Sequence, residues 1–173
     1  MIKITLPDGS IKEMESGTTP MDVAMSISHG LARNVISASF KGIKVETKTP
    51  LIEDGSLVLF TFSNPEGKEA FWHSTSHIMA QAIEELFPGV SLTIGPAIDN
   101  GFYYDIDFKE HSISETDIPR IEARMLEIAR GKHEFTMRSV SKADAIQLYK
   151  DQNNPFKVEL IENLTDGEIT FCD

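Results

Sequence analysis

Alternating apolar residues that end in a tight-turn sequence constrain the fold of this chain more than any other feature. Ile2, Ile4 and Leu6 alternate with other residues, a pattern typical of a strand with one buried face. The segment Pro7-Asp8-Gly9-Ser10 then supplies residues that favour turns, and apolar residues resume at Ile11. The sequence therefore predicts an N-terminal β-hairpin.

The residues that follow complete the pattern of a small mixed domain. Thr19-Pro20 combines a capping hydroxyl with a proline at the first helical position, so a helix is predicted to begin there. Apolar runs separated by glycine-containing turns predict further strands over 35–40, 43–45 and 57–62. Two strands, a helix and more strands within residues 1–62 indicate a β-grasp, ubiquitin-like module.

The charge balance changes at a polar segment that contains proline and glycine, Ser63-Asn64-Pro65-Glu66-Gly67. We predict one domain over residues 1–62, a linker over 63–68 and a second domain over 69–173. The first region holds 6 basic and 7 acidic side chains, whereas residues 63–173 hold 10 and 20, and the net charge of the chain is −11. A chain this acidic cannot bind nucleic acid by general phosphate neutralisation, so any RNA contact must be local.

The second region reads as a mixture of helices and strands. A helix is predicted from Glu69 to Phe87, before Pro88-Gly89, followed by a hairpin of 92–98 and 102–108 around Asp99-Asn100-Gly101. Two further helices are expected to begin after Ser114 and Ser141. Strands are predicted over 134–140, 157–161 and 168–171.

Membrane insertion and a disulfide framework both conflict with the sequence. No apolar run approaches the roughly 18–20 residues that span a bilayer. The chain has 1 cysteine, Cys172, which excludes an internal disulfide and fits a reducing compartment. We therefore expect a cytoplasmic protein.

Two histidines one helical turn apart are the first candidates for chemistry. In His73-Ser74-Thr75-Ser76-His77 both imidazoles lie on one face of the predicted helix. This spacing suits two ligands of one metal, two groups that flank a small substrate, or two structural side chains. Zinc takes three or four ligands, and the His-Glu-x-x-His pattern of zinc proteases is absent. The pair alone leaves all three uses open.

The second unusual segment is IGPAIDNGFYYD, residues 94–105. Its tyrosines, Tyr103 and Tyr104, either fill the core of a hairpin or form a pocket wall that stacks on a base and offers a hydroxyl. Lys157 stands at the head of the predicted strand 157–161. It is either a solvated cation or a lysine in a cleft, where it would contact a phosphate or a water beside an ester.

Together these segments resemble the editing domain of bacterial threonyl-tRNA synthetases, and residues 1–62 resemble the TGS domain of the same enzymes. The order of TGS domain, linker, His-x-x-x-His helix, Gly-Phe-Tyr-Tyr hairpin and Phe-Lys-Val segment matches along the whole chain. The implied fold is α+β, with a β-grasp TGS domain followed by an α+β editing domain. The family's downstream Asp-x-Cys-x-x-x-His segment is missing, so we expect this editing domain to be incomplete at its C-terminus.

The resemblance implies a function for this region and a role for each candidate residue. The family joins threonine to its tRNA with ATP, and its editing domain hydrolyses mischarged seryl-tRNA. The two histidines would hold the terminal adenosine ribose or activate water, and the lysine would position the water or the ester oxygen. The implied catalytic residues are His73, His77 and Lys157. The implied substrate-binding residues are Tyr103, Tyr104 and Gly95. No residue is assigned to a metal.

The resemblance also implies partners and cofactors. The acceptor end of tRNA(Thr) is expected to contact this region, and no membrane is expected to do so. No cofactor is expected here, whereas ATP, Mg²⁺ and one zinc would serve the aminoacylation domain of a homodimeric full-length enzyme, whose motifs this chain lacks. Two other functions stay open: a zinc-dependent aminoacyl-tRNA deacylase of the alanyl-tRNA-editing type, and a non-catalytic TGS-containing RNA-binding or regulatory module.

Overall fold

The computed structural model describes residues 1–131, 137–164 and 169–172, which divide into two compact units. The first unit contains Met1–Ser74 and Ala97–Gly101, and the second contains Thr75–Pro96 and the described residues from Phe102 onward. The strands are β1 (Ile2–Thr5), β2 (Ile11–Met14), β3 (Val35–Phe40), β4 (Ile43–Val45), β5 (Gly55–Thr61), β6 (Ser91–Leu92), β7 (Ala97–Ile98), β8 (Gly101–Phe102), β9 (Ile106–Asp107), β10 (Met137–Val140) and β11 (Ile169–Cys172). The helices are α1 (Pro20–Ile27), α2 (His29–Asn34), α3 (Pro65–Leu86), α4 (Ile118–Gly131), α5 (Lys142–Asp151) and α6 (Pro155–Glu162), with a 3₁₀ turn over Glu115–Asp117.

A five-stranded mixed sheet in the order β2-β1-β5-β3-β4 forms the first unit. Strand β1 pairs antiparallel with β2 and parallel with β5, and β3 pairs antiparallel with β4 and β5. Ile2 and Ile4 bury their side chains in one cluster with Leu57 of β5 and Val23 of α1. The alternation places both isoleucines on one face and so supplies two residues of this core. The predicted β-grasp arrangement is confirmed.

Helix α1 begins where the sequence signal predicts. The hydroxyl of Thr19 accepts a hydrogen bond from the backbone N–H of Asp22 at 3.1 Å, and the carboxylate of Asp22 accepts one from the N–H of Thr19 at 3.0 Å. These bonds form a capping box and hold the pKa of Asp22 below its ordinary value. Pro20 occupies the first helical position, where its missing N–H costs nothing.

Of the predicted linker, residues 63 and 64 belong to a tight turn, and residues 65–68 already form the start of α3. The side-chain oxygen of Asn64 accepts a hydrogen bond from the N–H of Thr61 at 2.8 Å, and its carbonyl accepts one from Lys68 at 2.9 Å. A Cβ atom at Gly67 would overlap the carbonyl oxygen of Thr61, so only glycine fits this close approach. Helix α3 therefore begins at Pro65, before the predicted start at Glu69.

In the second region the predicted hairpin is present but paired in two separate pieces. Strands β6 and β9 pair antiparallel through Ser91↔Asp107 and Leu92↔Ile106, and β7 pairs with β8 beside the turn. The N–H of Thr93 still donates to the carbonyl of Asp105 at 3.0 Å. Pro96 has no N–H to contribute to a ladder, which accounts for the interruption.

Residues 157–161 form part of helix α6, so the predicted strand is wrong. Asn154 caps this helix by accepting a hydrogen bond from the N–H of Lys157 at 3.2 Å, and Pro155 is its first residue. Ile161 is the residue that α6 buries. The capping asparagine and the proline at the first helical position determine the local structure.

The other predicted strands of this region are present where the structure describes them. Strands β10 and β11 pair antiparallel, with Arg138 opposite Phe171. Of the predicted ranges, residues 134–136 and 168 lie outside the described residues. None of the helices in the described part of the chain combines the length and apolar composition needed to cross a bilayer.

Candidate functional site

The two candidate histidines lie on α3 as the spacing predicts. His73 and His77 are separated by one helical turn and so point from the same side of the helix. His73 is exposed and His77 is half-buried. Glu84 follows His77 by two turns, so the same face of α3 also carries a carboxylate. Sequence reasoning missed Glu84, although its spacing from His77 was a usable signal.

Tyr104 packs its ring against the backbone of Gly95. A Cβ atom at position 95 would overlap the ring edge and would lie 3.0 Å from Cγ of Tyr104. Burial raises the pKa of Tyr104, and the neighbouring Glu84 and Tyr149 raise it further. The phenol therefore stays protonated at neutral pH and can both donate and accept a hydrogen bond.

The adjacent tyrosine has a different environment. The side chain of Tyr103 is 49% exposed, whereas that of Tyr104 is half-buried. Successive side chains of an extended segment point to opposite sides, which separates the two rings. The sequence grouped both tyrosines as substrate-binding residues, and the structure packs Tyr104 alone against Gly95.

Lys157 lies in the first turn of α6, where its side chain meets Tyr149 of α5. Its ammonium nitrogen is 3.4 Å from the Tyr149 hydroxyl and 4.9 Å from the centre of the ring. The contact combines a long hydrogen bond with a cation–π interaction. Tyr149 was not among the predicted site residues because its role depends on packing between two helices.

Glu84 interacts electrostatically with both Lys157 and Tyr104. Burial raises the pKa of Glu84, and the positive charge of Lys157 opposes that shift. Glu84 is nevertheless an exposed residue, so its carboxylate keeps contact with water. Tyr104 feels the negative charge of the same carboxylate. The second unit thus contains one coupled cluster of four groups: Glu84, Tyr104, Tyr149 and Lys157.

Asn154 anchors the helix that carries Lys157. Its side-chain N–H donates to the carbonyl of Leu92 at 3.0 Å, and the residue is 8% exposed. The same side chain caps α6, so it ties the first turn of that helix to β6. At the other end of α6, the ammonium of Lys142 donates to the carbonyls of Glu162 at 3.1 Å and Leu164 at 2.7 Å. Lys157 therefore projects from a helix fixed at both ends.

The predicted residues thus divide between the two units. Gly95, Tyr104 and Lys157 belong to the second unit, as does His77, whereas His73 is counted with the first. Within the described ranges, no three His, Cys, Asp or Glu side chains are grouped so that they could hold a metal ion. Two histidines fall short of the three or four ligands that zinc takes in proteins.

Comparison with known proteins defines the first unit. A family model for the TGS domain matches residues 2–61, which coincide with the five-stranded sheet and its helices. Residues 2–61 are therefore similar to TGS domains.

The relatives extend this similarity to the whole chain. The chain is 65% identical over 173 residues to the threonine–tRNA ligase of Flavobacterium johnsoniae and 66% identical over 173 residues to that of Flavobacterium psychrophilum. It is 47% identical over 171 residues to the corresponding ligase of Cytophaga hutchinsonii. The chain covers 26% of the length of each of these relatives. Along its full length it is similar to the N-terminal part of threonine–tRNA ligases, which confirms the resemblance.

Proposed function

We propose that this chain supplies the TGS domain and most of the editing domain of a threonine–tRNA ligase, and that its second unit carries part of the site that hydrolyses seryl-tRNA(Thr). The observation that carries the proposal is the coupled cluster of Glu84, Tyr104, Tyr149 and Lys157, in a region that matches these ligases along its whole length. Serine lacks one methyl group of threonine, and such a difference supplies only about 1–3 kcal/mol of discrimination. A separate hydrolytic site supplies the rest.

Each residue has a distinct task in the proposed hydrolysis. Lys157 places a positive charge where negative charge develops on the ester oxygen, or orients the attacking water. The protonated phenol of Tyr104 hydrogen-bonds the bound aminoacyl group, and Gly95 leaves room for its ring. His73 and His77 hold the terminal ribose or accept a proton from water. Because the substrate is an activated ester, positioning supplies much of the rate enhancement.

The partners and cofactors of the whole enzyme belong to the same proposal. The acceptor end of tRNA(Thr) contacts this region locally, because a net charge of −11 gives no general attraction for RNA. ATP, Mg²⁺ and one zinc serve aminoacylation in a cytoplasmic homodimer, and the proposed hydrolysis uses no cofactor in this region. Tyr103, which is exposed, would contact the tRNA end.

The direct test measures deacylation by the full-length protein that contains this sequence. Its rate is compared on seryl-tRNA(Thr) and threonyl-tRNA(Thr), for the wild type and for Lys157→Met. The exposed Lys150 of α5 provides a matched control, Lys150→Met. We expect preference for the seryl ester, loss of activity with Lys157→Met and full activity with Lys150→Met. Equal hydrolysis of both esters, or no hydrolysis by the wild type, would contradict the proposal.

A further inference from the structure

The contact between Lys157 and Tyr149 restricts a side chain that is otherwise flexible. Lysine carries its charge on a stem with four rotatable bonds, so its ammonium samples many positions in the absence of contacts. Here the Tyr149 ring lies 4.9 Å and its hydroxyl 3.4 Å from the ammonium nitrogen. Two different interactions from one side chain therefore converge on one nitrogen and limit where it can point.

The Tyr149 ring is itself fixed by a second aromatic residue. Phe171 of β11 meets it edge to face, with ring centres 5.6 Å apart and an angle of 88° between the planes. The guanidinium of Arg138 lies over the other ring, 5.6 Å from the centre of Phe171, and the two residues are paired across β10 and β11. A continuous stack of cation, ring, ring and cation thus connects the β10–β11 sheet to Lys157.

Resting on the deacylase function proposed above, we propose that Tyr149 is the positioning residue for Lys157, holding its ammonium aimed at the ester of the bound aminoacyl-tRNA. Phe171 acts one step further out by fixing the ring of Tyr149. Catalysis by a positive charge depends on a preset direction, because reorienting the charge during the reaction costs part of the rate enhancement.

The carboxylate of Glu84 also attracts the ammonium of Lys157. Glu84 interacts electrostatically with Lys157 and lies on the same unit. Once the ring and hydroxyl of Tyr149 are removed, these two contacts no longer oppose the attraction of the carboxylate for the ammonium. The contacts with Tyr149 are therefore the ones that hold the ammonium in its observed position.

The kinetic test uses the full-length protein and three substitutions. Tyr149→Leu removes both contacts, and Tyr149→Phe keeps the ring while removing the hydroxyl. Phe156→Leu is the matched control, because Phe156 precedes Lys157 on α6 and carries a similar contact to Lys109, at 5.7 Å. We expect Tyr149→Leu to lower kcat on seryl-tRNA about tenfold with KM nearly unchanged, Tyr149→Phe to lose about threefold, and Phe156→Leu to match the wild type.

A second measurement reports the restraint without any enzymatic activity. Reaction of each lysine with an amine-acylating reagent is followed by peptide mass spectrometry. We expect Tyr149→Leu to raise the reactivity of Lys157 about threefold, and Phe156→Leu to raise that of Lys109 alone. Circular dichroism melting verifies that each variant is folded. If Tyr149→Leu does not fold, Tyr149→Phe is used in its place.

The combined outcomes separate the two proposals. Unchanged kcat and unchanged Lys157 reactivity in a folded Tyr149→Leu variant overturn the positioning role. The positioning role is also overturned if Tyr149→Leu is less stable than the wild type and Phe156→Leu lowers kcat by the same factor. The effect of Tyr149→Leu is then structural. If the wild type does not hydrolyse seryl-tRNA while Tyr149→Leu still exposes Lys157, the deacylase function is overturned and the contact alone is supported.

Discussion

The ring of Tyr104 occupies the space that a side chain at position 95 would fill, so Gly95 and Tyr104 form one packed unit in the hairpin region. The glycine is required here for close approach and not for an unusual backbone angle. Strand β6 pairs with β9, and β7 pairs with β8, as two separate ladders. Gly95 lies in the segment between β6 and β7, where the ring of Tyr104 packs against its backbone.

Gly95→Ala should therefore destabilise the protein and displace Tyr104. Overpacking of this kind costs about 1–3 kcal/mol in the free energy of unfolding, measured by urea titration. Gly30→Ala is the control, because the nearest atom to a Cβ there is the Ser28 oxygen at 3.8 Å. An alanine at 95 that is as well tolerated as one at 30 would show that the ring moves without cost.

Asn154→Ala should cost more stability than the loss of an ordinary helix cap. The substitution leaves the buried carbonyl of Leu92 without its donor and uncaps α6, a loss of about 2–3 kcal/mol. Ser141→Ala removes the exposed cap of α5 and should cost about 1 kcal/mol. Urea unfolding of both variants measures the difference, and equal losses would contradict a tertiary role for Asn154.

His73→Ala should slow deacylation without unfolding the protein. A positioned acid–base group contributes about 10²–10⁴-fold to rate, whereas an exposed side chain contributes little to the core. His29→Ala, at another exposed helical histidine, is the control. Single-turnover hydrolysis of seryl-tRNA and thermal melting are measured together. A lowered melting temperature with intact hydrolysis would identify His73 as a structural residue.

Glu84→Gln should stabilise the protein at neutral pH. The folded-state pKa of Glu84 is raised by burial, so folding favours its protonated form, and stability falls as pH rises from the ordinary value of 4.5 through the raised value. Above that pH range the folded protein carries the full cost of burying the ionised carboxylate, and glutamine removes that cost. The variant should therefore exceed the wild type at pH 7, and the difference should vanish below the ordinary pKa.

Asp22→Asn should change the stability at pH 7 in the opposite direction, as measured in the same pH series. The pKa of Asp22 is lowered by its hydrogen bonds to Thr19, so its contribution to stability is present above its ordinary pKa. That contribution is lost as pH falls through the lowered value. The variant should be less stable than the wild type at pH 7 and should converge with it in acid. Urea midpoints over the pH range measure both substitutions, and the same sign for the two would contradict this account.

Helix starts illustrate how far sequence reasoning succeeded. Thr19-Pro20 and Asn154-Pro155 carry the same signal, a capping side chain followed by proline at the first helical position. The first was interpreted correctly. At the second, a strand was predicted over 157–161, and Lys157 was therefore placed on the wrong kind of element. The cap was the stronger signal because it satisfies backbone donors locally.

The sequence by itself determined the features that depend on neighbouring residues. These are the strand faces of Ile2 and Ile4, the caps of the helices and the common face of His73 and His77, since they require contacts only within about four residues. The tertiary structure alone decided which distant groups meet. Asn154 reaches Leu92 across 62 positions, and Lys157 meets a tyrosine on another helix. Such contacts depend on how separate segments pack, and no local pattern specifies that packing.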